Sequence, residues 1–282
     1  MAGSGVDRSN ADRKRSGGQR PGPTSGRGER GERGDRDTAK VPEPPLDDEI
    51  EFGDLDRDIR ADLRSLPKPA AERIGRHLVA AGELVDSDPE AALAHARYAK
   101  SRAPRIPAVR EAVGLAAYFA GQWSEALSEL RAVRRMTRTD EHVAVIADAE
   151  RALGRPERAL ELLRESQTAA LPREVAVELR IVAAGARRDL GQPDAAVVAL
   201  QGPDLDPKQQ EPWSARLFYA YADNLLAAGR EPEAVRWFLH AANADTEGDT
   251  DAALRAMELA GMPGGDGDEF AEVTEVAEQD RE

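Results

Sequence analysis

Four histidines are the residues of this chain best suited to acid–base catalysis or metal binding, since imidazole titrates near neutral pH and ligates zinc. They stand at positions 77, 95, 142 and 240. No two of them are spaced as H-x₃-H or H-E-x-x-H, the patterns that place two imidazoles on one face of a helix. We therefore expect core or helix-surface roles for them and predict no metal site.

Motifs for covalent catalysis and phosphate binding are missing as well. The sequence has no G-x-S-x-G element and no G-x-x-x-x-G-K-[ST] loop, and it contains no cysteine. Carboxylates are plentiful, but this is ordinary in a chain of which 33% is charged. The sequence thus predicts a protein that is not an enzyme and that needs no cofactor.

A short pattern recurs along the chain and predicts the elements that hold these side chains. It is written AGQWSEAL at 120–127 and returns as LGRPERAL, LGQPDAAV and AGREPEAV at 153–160, 190–197 and 228–235. Its glycine suits the left-handed residue that closes a helix. Its proline and acidic residue suit the first turn of the next helix. Each copy is therefore predicted to be a turn between two helices.

The alanine near the end of this pattern gives the repeat length. With an irregular first copy, SDPEAAL at 87–93, the series runs through the marker alanines Ala92, Ala126, Ala159, Ala196 and Ala234. Their separations of 33 to 38 residues are typical of helix–turn–helix solenoids. We predict an all-α, right-handed superhelical solenoid of about five helical pairs, in which each marker alanine lies where two helices cross closely.

These residues resemble the tetratricopeptide repeat (TPR) family, which places small residues at positions 8, 20 and 27 of a unit and a large one at 24. Gly114, Ala126 and Leu130 fit the second unit, and Ala222, Ala234, Phe238 and Ala241 fit the fifth. The resemblance covers residues 70–245. Glu150 and Arg187 depart from it, since they stand where the family prefers a large apolar residue. The stretch LRSLPKPAAERIGRHLVAAG is similar to an unassigned subgroup of TPR proteins from high-GC Gram-positive bacteria.

The resemblance implies that the first helix of each unit lines a concave wall that binds peptides. Mapped onto this chain, the wall gives these candidate partner-binding residues: Glu111, Leu115, Tyr118, Asp148, Arg151, Tyr219 and Asp223. The two tyrosines are either binding anchors or packing residues between repeats. The set lacks the Lys, Asn and Arg combination with which some members clamp a terminal carboxylate, which disfavours a chaperone-tail receptor.

A basic run, RAVRRMTR at 131–138, is the second candidate site. Its arginines are Arg131, Arg134, Arg135 and Arg138. Cations near the end of a helix complement its dipole, and a cluster of them can also contact a polyanion such as RNA. Both interpretations are compatible with the sequence.

Composition divides the rest of the chain. Residues 1–45 are rich in Arg, Gly and Pro and are predicted to be a disordered arm. An acidic segment with a short helix is expected over 46–69, a TPR-like domain over 70–260 with a terminal capping helix, and an acidic disordered tail over 261–282. Leu55, Ile59, Leu63 and Leu66 define the short helix, and Leu254, Met257 and Leu259 are predicted to cover the last pair.

Together these observations favour a cytoplasmic scaffold or adaptor that binds a peptide or protein on its concave face. No apolar stretch suits a signal peptide or a membrane span. The alternative is an RNA- or ribosome-associated protein that uses the Arg-Gly arm and the basic run. The sequence does not identify the partner.

Overall fold

The computed structural model describes residues 41–166 and 170–261. Within these ranges the regular structure is helical, with no strand. Two 3₁₀ turns, Phe52–Asp54 and Leu63–Ser65, flank the first of the α-helices. The α-helices in chain order are α1 Arg57–Asp62, α2 Lys68–Leu84, α3 Pro89–Arg102, α4 Pro107–Phe119, α5 Trp123–Thr137, α6 Val143–Ala152, α7 Pro156–Glu165, α8 Arg173–Asp189, α9 Pro193–Leu200, α10 Ser214–Ala227, α11 Glu231–Ala244 and α12 Ala252–Leu259.

Helices α2 to α11 form the five predicted pairs. Each helix packs against its neighbours in the chain, and the first helices of adjacent units also touch, α2 with α4, α6 with α8 and α8 with α10. Contacts that join only neighbouring units define a solenoid. The prediction of an all-α helical solenoid is confirmed. The predicted disordered arm, apart from its last residues 41–45, and the predicted tail beyond residue 261 lie outside the described residues.

The turn between the helices of a pair has the predicted geometry. Gly121 has φ +68°, its N–H donates to Tyr118 O at 3.0 Å, and the N–H of Gln122 donates to Ala117 O at 2.7 Å. This is a Schellman motif, and its left-handed residue favours glycine. The later turns repeat both hydrogen bonds, with φ between +72° and +74° at Gly154, Gly191 and Gly229.

The five marker alanines lie at the helix crossings. Each has 0% of its surface exposed. Their partners at the crossings are also small or closely fitted: a Cβ added to Gly114 would stand 2.6 Å from Leu130 Cδ2, far inside van der Waals contact. Small residues are therefore needed where the backbones of α4 and α5 approach each other.

The capping helix exists, but it covers the last pair with a different face. Helix α12 packs on α11. Ala252 and Ala256, four residues apart, are its buried residues, and Leu259 packs partly against the same core. Leu254 is 49% exposed, so its predicted covering role is wrong. Alanines allow this short helix to lie closer to α11 than a leucine face would.

Residues 41–55 form an N-terminal strap that lies on α2. Arg73 forms an ion pair with Glu43, and Arg76 donates to the carbonyl oxygens of Ile50 and Asp47 at 2.7 and 2.8 Å. The Phe52 ring lies against Gly75, where a Cβ would meet it at 2.3 Å. The strap begins at residue 41, so the end of the predicted arm, 41–45, is part of the packed structure because Glu43 has partners on α2.

Two histidines meet beneath this strap. His77 of α2 and His95 of α3 are buried, with their Nδ1 atoms 2.8 Å apart, so one nitrogen must carry a hydrogen that the other accepts. Glu43 Oε1 lies 3.4 Å from His77 Nε2, and the Tyr98 ring packs on His77. Burial lowers the pKa of both histidines. The pair is therefore a core contact of the first unit, as expected for a histidine without a metal motif.

The histidine pair should make stability depend on pH. Because the folded pKa values are depressed, unfolding takes up protons, so stability is full above the ordinary histidine pKa of about 6.5 and falls as the pH drops below it. Glu43 does not titrate in this range, since Arg73 lowers its pKa to about 2. Urea midpoints measured from pH 7.5 to 5.5 should fall for the wild type and fall less for His95→Gln.

His142→Gln is the matched control, because His142 lies on another unit beside Glu111. It should retain the pH slope of the wild type. Equal slopes in the wild type and in His95→Gln would contradict an assignment of the pH dependence to the buried pair.

Candidate functional site

The exposed side of the first helices carries a connected row of polar side chains, here called the first-helix face. Tyr118 of α4 donates its hydroxyl hydrogen to Asp148 Oδ2 of α6 at 2.6 Å. Arg151 of α6 donates to Asp148 Oδ1 at 2.9 Å and to Asp189 Oδ2 of α8 at 2.7 Å. Three of the predicted partner-binding residues are thus brought together across one unit boundary, and Arg151 extends the row across a second boundary to Asp189.

The position of Arg151 depends on a glycine in the next unit. Its guanidinium lies across Gly185 of α8, where a Cβ would stand 2.6 Å from Arg151 Cζ. A larger residue at 185 would displace the side chain from its path to Asp189. The row of hydrogen bonds is therefore built into the close approach of α6 and α8.

A second part of the row joins the last units. Arg188 of α8 forms an ion pair with Asp223 of α10, and Arg255 of α12 lies 3.8 Å from the other oxygen of Asp223. Burial and a hydrogen bond with Asp251 raise the pKa of Tyr219 to about 12. The predicted residue Asp223 therefore contacts both α8 and α12, and the predicted residue Tyr219 contacts Asp251 at the start of α12.

Tyr118 serves packing and polar contact at the same time. Its ring meets Trp123 edge to face with centroids 5.3 Å apart, and burial together with Asp148 raises the pKa of its hydroxyl group well above the ordinary value. The Tyr219 ring likewise packs on Phe238. Both tyrosines contact residues between helices, yet each remains partly exposed.

An apolar pocket opens at the N-terminal end of the first-helix face. Its volume is about 210 Å³, and α1, α2 and α4 enclose it. Among the described residues that line it, Glu111 is the only charged one, and its Oε1 lies 3.1 Å from His142 Nε2. The apolar lining includes Leu115, a predicted partner-binding residue of α4, and Phe119, an exposed residue of the same helix. Leu55 and Ile59 of the acidic segment also line the pocket. The predicted residues Glu111 and Leu115 thus belong to this pocket, which we call the anchor pocket.

Sequence reasoning missed two charged residues of the first-helix face. Glu178 lies 2.8 Å from Arg216 Nε, and burial raises the pKa of its carboxyl group. Arg188 is the other. Arg188 occupies the repeat position that gave Tyr118 and Arg151 in neighbouring units, and Glu178 occupies the repeat position of Arg216. Applying the same mapping to the fourth unit would have identified them.

The basic run does not form a uniform cationic surface. Arg131 forms an ion pair with the buried Glu150, and Arg134 with Asp140. Arg135 and Arg138 are exposed and make no ion pair within the described part of the chain. Arg138 also ends α5 in the left-handed conformation, with φ +60°. Two of the four candidate cations are therefore partly neutralised by neighbouring carboxylates.

Buried carboxylates that are each held by two cations recur in the structure. Glu129 accepts from Lys100 and Arg110 at 2.7 and 2.6 Å. Glu150 is contacted by Arg131 and Arg155, which explains how this departure from the family pattern is accommodated. Asp204 is likewise paired with two arginines of α8. At Arg187, the other departure, the buried Nε has no hydrogen-bond partner in the described structure.

Two further features bear on the class of protein. No helix within residues 41–166 and 170–261 combines the length and apolar character needed to cross a bilayer. The same residues contain no cluster of three or more metal-binding side chains. What they do contain is a helical-repeat solenoid whose first helices present a polar row and an apolar pocket.

The comparison with protein families identifies this class. The sequence profile of the family described as Tetratrico peptide repeat matches residues 107–202 and 142–248, which together make up half of the chain. The chain belongs to the tetratricopeptide repeat family, whose repeats provide scaffolds for protein–protein interaction. Neither the comparison with curated proteins nor that with solved structures gives a match.

Proposed function

We propose that this protein is a scaffold that binds a peptide segment of a partner protein along the first-helix face, with the anchor pocket as its main contact. The pocket carries the proposal. It is open, almost wholly apolar, and lined by Leu115 and by Phe119, which is 49% exposed. An exposed aromatic residue beside a pocket is typical of binding hot spots.

The size of the pocket favours a side chain as the occupant. Pockets for small molecules usually measure about 300–1,000 Å³. The anchor pocket, at about 210 Å³, is smaller and fits one apolar side chain of a peptide. The polar row from Tyr118 to Asp189 then offers hydrogen-bonding groups to the rest of the peptide.

The alternative of an RNA-associated protein has less support. Arg131 and Arg134 both have acidic partners, which weakens the field of the basic run. The first-helix face carries carboxylates in every unit from the second to the fifth, including Glu111, Asp148, Glu178 and Asp223. Because Arg151, Arg188 and Arg216 are paired with these carboxylates, the described residues of this face offer no uncompensated cationic surface to a polyanion.

The anchor pocket should decide peptide affinity. Peptides selected from a displayed library on the full chain should bind Phe119→Ala or Leu115→Ala at least about tenfold more weakly than the wild type, which corresponds to about 1.4 kcal/mol. Fluorescence anisotropy with labelled copies of the selected peptides measures this.

Val198→Ala is the matched control. Val198 is an apolar residue of α9 with 63% of its surface exposed, and α9 is a second helix. The control should bind as tightly as the wild type. Selected peptides that bind Phe119→Ala and Leu115→Ala with unchanged affinity would refute the proposal.

A further inference from the structure

A second pocket lies on the other side of α1 and differs from the anchor pocket in its chemistry. Its volume is about 550 Å³. Its lining consists of an apolar floor and four cationic side chains, so we call it the cationic pocket. The floor residues are Phe52, Leu63, Leu66 and Ala71, and the cations are Arg57, Arg60, Arg64 and Lys68.

The helical spacing of α1 explains why the cations gather there. At about 100° per residue, Arg57 and Arg60 of α1 fall within about 60° of arc, and Arg64 follows in the 3₁₀ turn Leu63–Ser65. Asp58 and Asp62 are turned about 100° or more from Arg57, and neither lines the pocket. An acidic stretch of sequence therefore presents a cationic surface on one side.

The charges of this pocket are largely uncompensated. No ion pair involves Arg57, Arg60 or Arg64 within the described residues. Lys68 lies 3.8 Å from Glu72, and its side chain is 87% exposed. In contrast to Arg131 and Lys100, the three arginines of the pocket have no acidic partner among the described residues.

The combination of cations and an apolar floor indicates the chemistry of an occupant. An acidic peptide with interspersed apolar residues can pair with the arginines and cover the floor. A phosphate backbone could pair with the arginines, but it has no apolar group that covers the partly exposed Phe52 and Leu66. The pocket therefore favours an acidic, partly apolar peptide.

The chain itself contains such a peptide. Residues 262–282, which lie outside the described residues, hold eight acidic residues and one basic residue. Phe270, Val273 and Val276 are interspersed among them at intervals of three. We propose that residues 262–282 bind in the cationic pocket of the same chain. This proposal is independent of the function proposed above, because it concerns another pocket and another occupant.

The required distance is within reach. Neighbouring first helices pack about 8–10 Å apart, so five steps from α2 to α12 span about 40–50 Å. Val273 and Val276, which are 12 and 15 residues after Gly261, can lie up to about 40 and 50 Å from it. Attraction between the two regions weakens as salt is added, because the Debye length falls from about 8 Å at 0.15 M to about 3 Å at 1 M.

Energy transfer within the full chain tests the proposal. The sequence has no cysteine, so Ser65→Cys beside the pocket and Thr274→Cys provide two specific labelling sites. Transfer should be high at low salt and should fall in 1 M salt. In the double charge-reversal variant Arg60→Glu, Arg64→Glu, the transfer at low salt should be as low as that of the wild type in 1 M salt.

Reversal of Arg135 and Arg138 to Glu is the matched control, since both are exposed arginines without an ion pair in the described structure. This control should leave the transfer unchanged. Low transfer at all salt concentrations, or equal loss in both reversals, would overturn the proposal. The salt titration uses the native charges, so it remains decisive if a reversal variant fails to fold.

Two other occupants give distinct outcomes. Transfer between mixed, singly labelled chains that equals the transfer within doubly labelled chains would assign the pocket to a second copy and overturn the proposal. A labelled RNA oligonucleotide that binds the wild type but not the Arg60→Glu, Arg64→Glu variant, with no change in transfer, would assign the pocket to nucleic acid. Retained transfer without oligonucleotide binding supports the proposal.

Discussion

Replacing Arg131 by Met should lower the free energy of unfolding by about 3 kcal/mol, whereas Arg135→Met should change it by less than about 0.5 kcal/mol. Glu150, the partner of Arg131, is only 2% exposed. Without Arg131 it keeps the contact with Arg155 Nη1 at 3.3 Å, from a side chain that is mostly exposed. A buried carboxylate that loses its main partner is costly because water cannot replace the lost interaction.

Urea denaturation of both variants measures this difference. The double variant Arg131→Met, Glu150→Leu should recover much of the lost stability, since an apolar pair can replace a buried ion pair at little cost. The two arginines are neighbours in one basic run, so an equal effect of Arg131→Met and Arg135→Met would show that burial of Glu150 does not govern the stability of this site. A loss of stability in Arg131→Met that is absent from Arg135→Met would assign Arg131 a structural role.

The sequence predicts the repeat because its signals are local. Gly121 and Ala126 are five residues apart, and each acts through backbone geometry or side-chain size within a single turn. Four copies of such a signal reinforce one another. The helix ends, the number of pairs and the buried marker alanines could therefore be predicted without knowledge of tertiary contacts.

The strap and the histidine pair could not be predicted in the same way. Glu43 and His77 are 34 residues apart, and His77 and His95 are 18 apart. Their contacts depend on how the strap lies on α2 and how α2 crosses α3. The composition of an acidic segment describes its charge but not which carbonyl oxygens Arg76 will reach.

The prediction that Leu254 covers the last pair was wrong for a related reason. In a helix of eight residues, Leu254 and Met257 form a leucine face that competes with the alanines Ala252 and Ala256, on whose side Leu259 also lies. Hydrophobicity favours the leucine face. Close packing on α11 favours the alanines, and this preference is a property of the partner surface.

The candidate site was predicted in part. The repeat mapping located Tyr118, Asp148 and Arg151 in neighbouring units, and the structure joins them by hydrogen bonds. The repeat mapping could not show that Glu111 and Leu115 border a pocket closed by Leu55 and Ile59, because Leu55 and Ile59 precede the repeats. Peptide binding by these residues remains a proposal that the Phe119 and Leu115 variants test.

Replacing Ala126 by Leu should lower the free energy of unfolding by about 1–3 kcal/mol. Ala126 has no exposed surface and lies among small residues, Ala92, Ala96 and Ala117, so three added carbon atoms must push α5 away from its neighbours. Ala94→Leu is the control, since Ala94 is an exposed residue of α3 and the helix propensities of Ala and Leu differ little. Urea denaturation should show a loss for Ala126→Leu and almost none for Ala94→Leu. If Ala126→Leu is as stable as the control, the crossing has room for a larger side chain, and the size restriction assigned to the marker alanine is wrong.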